Sequence, residues 1–169
     1  MIVFLDIDGP IANLRSALAG FSYDPATVVV VNEFLSHPSV RVVLSSTVRI
    51  LHNRPERMLH HLHQKYALHG FKFHEHWRTG QNLGAGPENR QREIQEWLDA
   101  YSWHTPGPYV AIDDDPINIE NVTHIKADYN GIPYIELLRM RSLLDSSVCE
   151  TLHAWEEWEK NRVQNCDRC

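Results

Sequence analysis

Two aspartates near the start of the chain, Asp6 and Asp8, have the residue type and spacing for chemistry at phosphorus. They follow an apolar run, residues 2–5, that is typical of a strand buried on both faces. Buried carboxylates need a partner of opposite charge. Residues two apart on an extended segment point to the same side. One carboxylate could therefore attack phosphorus while the other handles the proton of the leaving group.

Polar side chains also follow two later apolar runs. The run 40–44 is followed by hydroxyl residues and the run 109–112 by further acids; they are Ser45, Ser46, Thr47, Asp113, Asp114 and Asp115. The carboxyl ends of parallel strands meet at one edge of a sheet. Clustered carboxylates repel each other unless a cation lies between them. Mg²⁺ prefers such oxygen ligands and often binds substrate phosphate as well, so we expect a Mg²⁺ and phosphate site at this edge.

Strand and helix patterns alternate along the chain. Asp24 followed by Pro25 predicts a helix start, and this helix should reach about Ser36. Pro55 opens a second helix, and Ile94, Trp97, Leu98 and Tyr101 lie on one face of a third. Between the helices, strands are expected at 2–7, 40–44, 71–77, 108–115 and 123–128. This alternation predicts right-handed βαβ units and a mostly parallel sheet.

The expected fold class is α/β, with a Rossmann-like, three-layer α/β/α arrangement. We expect one domain over residues 1–169, with its core in about 1–132, C-terminal helices in about 133–163 and a flexible tail at 164–169. About 35 residues separate Asp8 from Ser45, and most of them are needed for the first helix. No large cap domain fits between the strands.

Charge is unevenly distributed along a chain whose net charge is −6. Residues 41–92 hold nine Lys and Arg against three acids, and seven of the eleven histidines. This segment is either a solvated helix face or a basic wall that faces an anionic substrate. No apolar run reaches the ~18 residues of a membrane span, and three cysteines make no disulfide framework. We therefore expect a cytoplasmic protein without a membrane partner; the oligomeric state is unknown.

Three motifs carry a resemblance to a known family. "FLDIDGP" resembles the first motif of the haloacid dehalogenase (HAD) superfamily of phosphatases, "VVLSS" its second motif and "YVAIDDD" its fourth. The resemblance covers about residues 1–130. A closer likeness, carried by "SSTVR", "RQREI" and "NGI", is to small HAD domains associated with RNA repair and phage nucleotide metabolism.

The resemblance implies a role for each matching residue. Asp6 would be the nucleophile and Asp8 the general acid and base, while Ser45 would bind phosphoryl oxygens and Arg90 would supply positive charge. Arg92 and Lys126 are alternatives to Arg90.

The resemblance also implies a metal site and a substrate site. Asp6, the backbone carbonyl of Asp8, and Asp113 would hold Mg²⁺ with support from Asp114, and Asp115 leaves open which acids take part. Arg49 would clamp the substrate, since a guanidinium grips phosphate with two hydrogen bonds. Ser46 and Gly9 are further substrate-binding candidates.

These expectations describe a Mg²⁺-dependent phosphomonoesterase that works through an aspartyl-phosphate intermediate. Nucleoside 5′-monophosphates are the expected substrates, because the basic segment suits a nucleotide and the overall acidity disfavours tight nucleic-acid binding. A polynucleotide 3′- or 5′-end phosphatase is the alternative. A non-catalytic binding domain on the same fold is an alternative of another class.

Overall fold

The centre of the molecule is a five-stranded, all-parallel sheet. The computed structural model describes residues 1–80, 87–104, 107–128 and 130–145. Its strands are β1 (Ile2–Leu5), β2 (Arg41–Leu44), β3 (Phe73–Arg78), β4 (Tyr109–Asp113) and β5 (Val122–Lys126). Their order across the sheet is β3-β2-β1-β4-β5. The chain therefore winds outward from β1 in one direction and then returns to build β4 and β5 on the other side.

The register of the central strands aligns their carboxyl ends. Leu5 of β1 pairs with Leu44 of β2 on one side and with Ile112 of β4 on the other. The residues that follow are thereby brought side by side: Asp6 N–H donates to Ile112 O at 2.9 Å, and Ser45 N–H donates to Leu5 O at 3.1 Å. In doubly wound sheets, ligands bind where the winding direction reverses, which here is between β1 and β4.

The helices begin where the sequence offers a cap or a proline. They are α1 (Leu14–Leu18), α2 (Pro25–Leu35), α3 (Pro55–Tyr66), α4 (Pro87–Tyr101) and α5 (Tyr134–Ser142), with a 3-10 helix over Thr47–Ile50. Asp24 caps α2 by accepting a hydrogen bond from Ala26 N–H at 3.1 Å. Proline at the first position suits α2 and α3 because the first turn of a helix leaves its N–H groups unpaired anyway.

Two apolar clusters fill the space on the two faces of the sheet. In β1, Val3 and Leu5 belong to the larger cluster, which holds residues of α2, α3 and α5, while Ile2 and Phe4 join the cluster of α4. Trp97 of α4 packs edge-on against Phe4 with ring centroids 5.2 Å apart. Alternate residues of one strand thus face different helical layers, and the predicted three-layer α/β/α fold is confirmed.

Most predicted elements appear within two residues of the expected bounds. The first strand is shorter than predicted: it ends at Leu5, because a tight turn follows in which Ile11 and Ala12 N–H both donate to Ile7 O. The sequence also gave no prediction of α1, which begins where the Asn13 side chain accepts from Ser16 N–H at 2.9 Å. Asn13 and Ser16 form a capping box in this turn.

Other predictions concern inserted and terminal segments. Among the described residues, the connections between strands are helices and loops without an inserted domain. None of the helices in the described ranges is long and apolar enough to span a membrane. Helix α5 lies in the first part of the predicted C-terminal helical region. Residues 146–169, which include the second predicted C-terminal helix and the tail, lie outside the described residues.

Candidate active site

Two buried carboxylates lie next to each other at the carboxyl edge of the sheet, where β1 and β4 are adjacent. Asp6 follows β1 and Asp113 ends β4; their side chains are 6% and 1% exposed. The Asp115 N–H donates to Asp113 Oδ1 at 3.0 Å, which fixes the orientation of that carboxyl group. The two acid clusters that follow β1 and β4 therefore meet at one edge of the sheet, where the sequence placed them.

A single cation bridges the two carboxylates. Arg90, in the first turn of α4, places Nη2 3.2 Å from Asp6 Oδ1 and Nε 3.2 Å from Asp113 Oδ2. The contact with Asp6 is a hydrogen bond, whereas Nε and Asp113 Oδ2 are within ion-pair distance without the alignment of a hydrogen bond. Of the three candidates for this position, Arg90 is the one beside Asp6; Arg92 is exposed and lies 3.9 Å from Glu96, and Lys126 is exposed as well.

The site holds more negative charge than Arg90 balances. Burial raises the pKa of Asp113 to about 8, and repulsion by Asp6 adds to this against the opposing effect of Arg90. Burial likewise raises the pKa of Asp6 to about 6, again opposed by Arg90 and by hydrogen bonds from Ile7 N–H and Ser46. Two neighbouring carboxyl groups with raised pKa values favour the binding of a further cation, because the cation would stabilise the ionised form of both.

A third carboxylate completes a set that fits Mg²⁺. One oxygen from each of Asp6, Asp113 and Asp114 lies within 4.8 Å of the other two. Octahedral Mg²⁺ with ligands at ~2.1 Å needs oxygens about 3–4 Å apart. The three carboxylate oxygens would therefore have to move only slightly closer together to bind the ion. Asp113 Oδ2 is buried without a hydrogen-bond partner, and this oxygen is therefore available as a ligand for a metal ion. Of the three successive acids, Asp113 and Asp114 belong to this set and Asp115 does not.

The two serines after β2 have different surroundings. The Ser46 side chain lies beside Asp6 and lowers the pKa of that carboxyl group, and its oxygen accepts from Val48 N–H at the start of the 3-10 helix. Ser45 is fully buried and its hydroxyl has no hydrogen-bond partner. A buried hydroxyl without a partner is unfavourable by about 1–3 kcal/mol, and a phosphoryl oxygen would satisfy it. The unpartnered hydroxyl of Ser45 would suit a phosphoryl oxygen, whereas Ser46, predicted to bind substrate, lies beside Asp6.

The turn after β1 presents Asp8 and requires glycine at position 9. Asp8 is exposed, and Gly9 N–H donates to Ala12 O at 2.9 Å to close the turn. Gly9 has φ +95°, a region that side chains rarely adopt, and a Cβ there would overlap the carboxyl group of Asp114. The close approach of backbone and carboxylate explains the glycine, which the sequence suggested only as a substrate-binding residue.

Arg49 has no free N–H group to offer a substrate at the candidate site. The side chain is 4% exposed and makes five hydrogen bonds to protein acceptors, as many as a guanidinium has N–H groups. One of them joins Glu93 of α4, and this glutamate has no role in the sequence-based site. This arrangement favours a structural role for Arg49 over the predicted clamp on the substrate. The "RQREI" segment contains Glu93, but no local pattern indicates its partner 44 residues away.

Of the comparisons with known proteins, the one with protein families found a match. A family model described as the HAD domain in Swiss Army Knife RNA repair proteins matches residues 2–130. No curated protein and no solved structure matches the chain. The matched segment runs from β1 into the loop after β5, so it includes Asp6, Ser45, Arg90 and Asp113. The chain belongs to the family of HAD domains found in Swiss Army Knife RNA repair proteins.

Proposed function

We propose that the protein is a Mg²⁺-dependent phosphomonoesterase that acts on nucleic-acid ends. One observation carries the proposal. Three buried side-chain atoms of residues at one edge of the sheet lack an aligned hydrogen bond: Ser45 Oγ, and Arg90 Nε and Asp113 Oδ2, which lie 3.2 Å from each other. Buried polar atoms are normally satisfied. A hydroxyl and a guanidinium suit phosphoryl oxygens, whereas the carboxylate suits a metal ion.

Asp6, Asp113 and Asp114 would hold the Mg²⁺ through their carboxylates. The ion would supply positive charge for the oxygens of the transferring phosphoryl group. Arg90 would act from the side of Asp6, where its guanidinium already lies, and would offset the charge that develops in the transition state.

Asp6 and Asp8 would divide the chemistry between them. The Asp6 carboxylate attacks phosphorus, and the bond between phosphorus and the leaving oxygen breaks as Asp8 gives that oxygen its proton. Asp8 then takes a proton from water, which attacks phosphorus and releases inorganic phosphate from Asp6. Asp8 is exposed in the turn after β1, where a leaving group and water can reach its side chain.

Nucleic-acid ends are the proposed substrates for two reasons. The matching family is described from RNA repair proteins, and no inserted domain closes over the site in the described part of the chain. An open site leaves room for the rest of a polymer. Nucleoside 5′-monophosphates are the second candidate, because the net charge of −6 is unfavourable for a polyanion that must make many phosphate contacts.

The proposal is tested by phosphate release in Mg²⁺ from 3′- and 5′-phosphorylated RNA and DNA oligonucleotides and from nucleoside monophosphates. Asp6→Asn should fold and release nothing, whereas Asp99→Asn, an exposed acid at the far end of α4, should match the wild type. Activity on a polymer end should fall more steeply with salt than activity on a monophosphate. Release confined to monophosphates would favour the second candidate. No release from any substrate by folded protein would favour a binding domain.

A further inference from the structure

A buried ion pair lies behind the candidate site. Arg49 Nη2 and Glu93 Oε1 are 2.6 Å apart, and both side chains are 4% exposed. Two charges removed from water stabilise a fold only when their other hydrogen-bonding groups are also satisfied. Here Arg49 meets that condition through main-chain carbonyls: Nη1 donates to Ser45 O at 2.8 Å and to Ser46 O at 2.9 Å, and Nε and Nη2 donate to Gly80 O at 3.1 and 2.8 Å.

The pair joins three separate pieces of the chain. Arg49 holds the turn after β2, which contains Ser45, and the first residues after β3. Glu93 belongs to α4, and its second oxygen accepts from Thr79 Oγ1 at 3.3 Å. Thr79 N–H in turn donates to Leu44 O at 3.0 Å. The ends of β2 and β3 and the first turns of α4 are therefore tied together through one guanidinium and one carboxylate.

The position of Glu93 in α4 links this pair to the candidate site. Arg90 lies three residues earlier, so both side chains leave the helix on the same side, with Cα atoms about 4.5 Å apart along its axis. Any rotation or shift of α4 that moves Glu93 also moves the base of the Arg90 side chain. Arg90 is 3.2 Å from both Asp6 and Asp113, and a displacement of about 1 Å at a reacting group can lower a rate about a hundredfold.

We propose that Arg49 and Glu93 are positioning residues that set the place of Arg90 relative to Asp6. The inference rests on the proposed phosphatase function. Neither residue touches the substrate; they act through the guanidinium of Arg90. Any effect of the pair on Mg²⁺ affinity should likewise run through Arg90, which contacts the carboxylates of Asp6 and Asp113.

The test is a double-mutant cycle on phosphate release. At saturating Mg²⁺, Glu93→Gln should lower kcat about tenfold. In an Arg90→Ala background, the same change should lower kcat by less than twofold, because the group through which it acts is gone. The matched control is Glu33→Gln, which removes the acid partner of Arg141 on the surface at the end of α2. This variant should leave kcat unchanged in both backgrounds.

A second variant and a second readout keep the test decisive. If Glu93→Gln does not fold, Arg49→Lys takes its place, since it keeps the charge and loses the planar fork that reaches three carbonyls. Binding of inorganic phosphate in Mg²⁺, measured by calorimetry, should weaken about tenfold in either variant and stay unchanged in Glu33→Gln. Equal losses of kcat in the wild-type and Arg90→Ala backgrounds, or unchanged kcat and phosphate affinity in a folded variant, would overturn the inference. A wild type that releases no phosphate would instead refute the proposed function.

Discussion

The buried carboxyl group of Asp113 should make the metal-free protein less stable as the pH rises from 5 to 8. Burial raises the pKa of Asp113 to about 8 from its ordinary value of 3.8. Between these two values the folded chain keeps a proton that the unfolded chain has released, so the free energy of unfolding falls with rising pH. A difference of one proton is equivalent to ~1.4 kcal/mol per pH unit, which gives about 4 kcal/mol over this range. For a chain of this size that corresponds to a fall in Tm of about 8–16 °C.

Thermal unfolding in EDTA, followed by circular dichroism at pH 5 and pH 8, measures this effect. The matched variant is Asp113→Asn, whose side chain has the same shape and stays neutral at both pH values. Three histidines, His61, His74 and His124, have pKa values lowered by burial and shift stability in the opposite direction. They are present in both proteins, so the difference between wild type and variant reports Asp113 together with its effect on the neighbouring Asp6. Between pH 5 and pH 8, the free energy of unfolding of the variant should rise by about 4 kcal/mol relative to that of the wild type.

Parallel pH profiles of the two proteins would refute the reasoning, because they would mean that the Asp113 carboxyl ionises as readily in the folded chain as in the unfolded one. A wild type that becomes more stable than the variant as the pH rises would refute it as well. Either result would also remove the electrostatic argument for a cation at this edge of the sheet.

Three further predictions follow from the same geometry. Mg²⁺ should raise the Tm of the wild type more at pH 8 than at pH 5, since protons and metal compete for the same carboxylates; equal shifts at both pH values would contradict this. Gly9→Ala should weaken Mg²⁺ binding about tenfold in thermal-shift titrations by displacing Asp114, whereas Gly20→Ala, with φ +79° and nothing within 4 Å of its Cβ, should affect stability alone. Asp24→Ala should lower the free energy of urea unfolding by about 1–2 kcal/mol through loss of the α2 cap, and an unchanged midpoint would argue against that cap.

The sequence predicted the sheet well because its strands are short apolar runs that end in polar residues. Asp6, Ser45 and Asp113 could be placed at one edge for that reason: parallel strands align their carboxyl ends whatever the exact register. Arg90 was named through the family resemblance, and the predicted apolar face of its helix also favours it: Arg90 precedes Ile94 by four residues and Trp97 by seven, whereas Arg92 lies on the opposite side. The choice between the two depends on which side of α4 packs against the sheet, and Ile94, Trp97 and Leu98 pack there as their spacing predicted.

The surroundings of Arg49 could not be predicted from the sequence. An arginine shortly after a strand end looks like a phosphate ligand when its partners are unknown. Its carboxylate partner, Glu93, is 44 residues away along the chain, and its other acceptors are main-chain carbonyls, which every residue possesses. Helix α1 was missed for a different reason: it has five residues, too few for an apolar period, and its capping box uses Asn13 and Ser16 in place of the usual Ser or Thr with Glu.

The most direct test of the central claim is to trap phosphate on Asp6. Wild-type protein is mixed with Mg²⁺ and a phosphorylated oligonucleotide that it hydrolyses, quenched in acid within a turnover, and reduced with borohydride, which converts an acyl phosphate of aspartate to homoserine. Peptide mass spectrometry should find homoserine at position 6 in the wild type and none in a sample without substrate. Phosphate release without modification at Asp6, or with modification at another acid, would contradict the account.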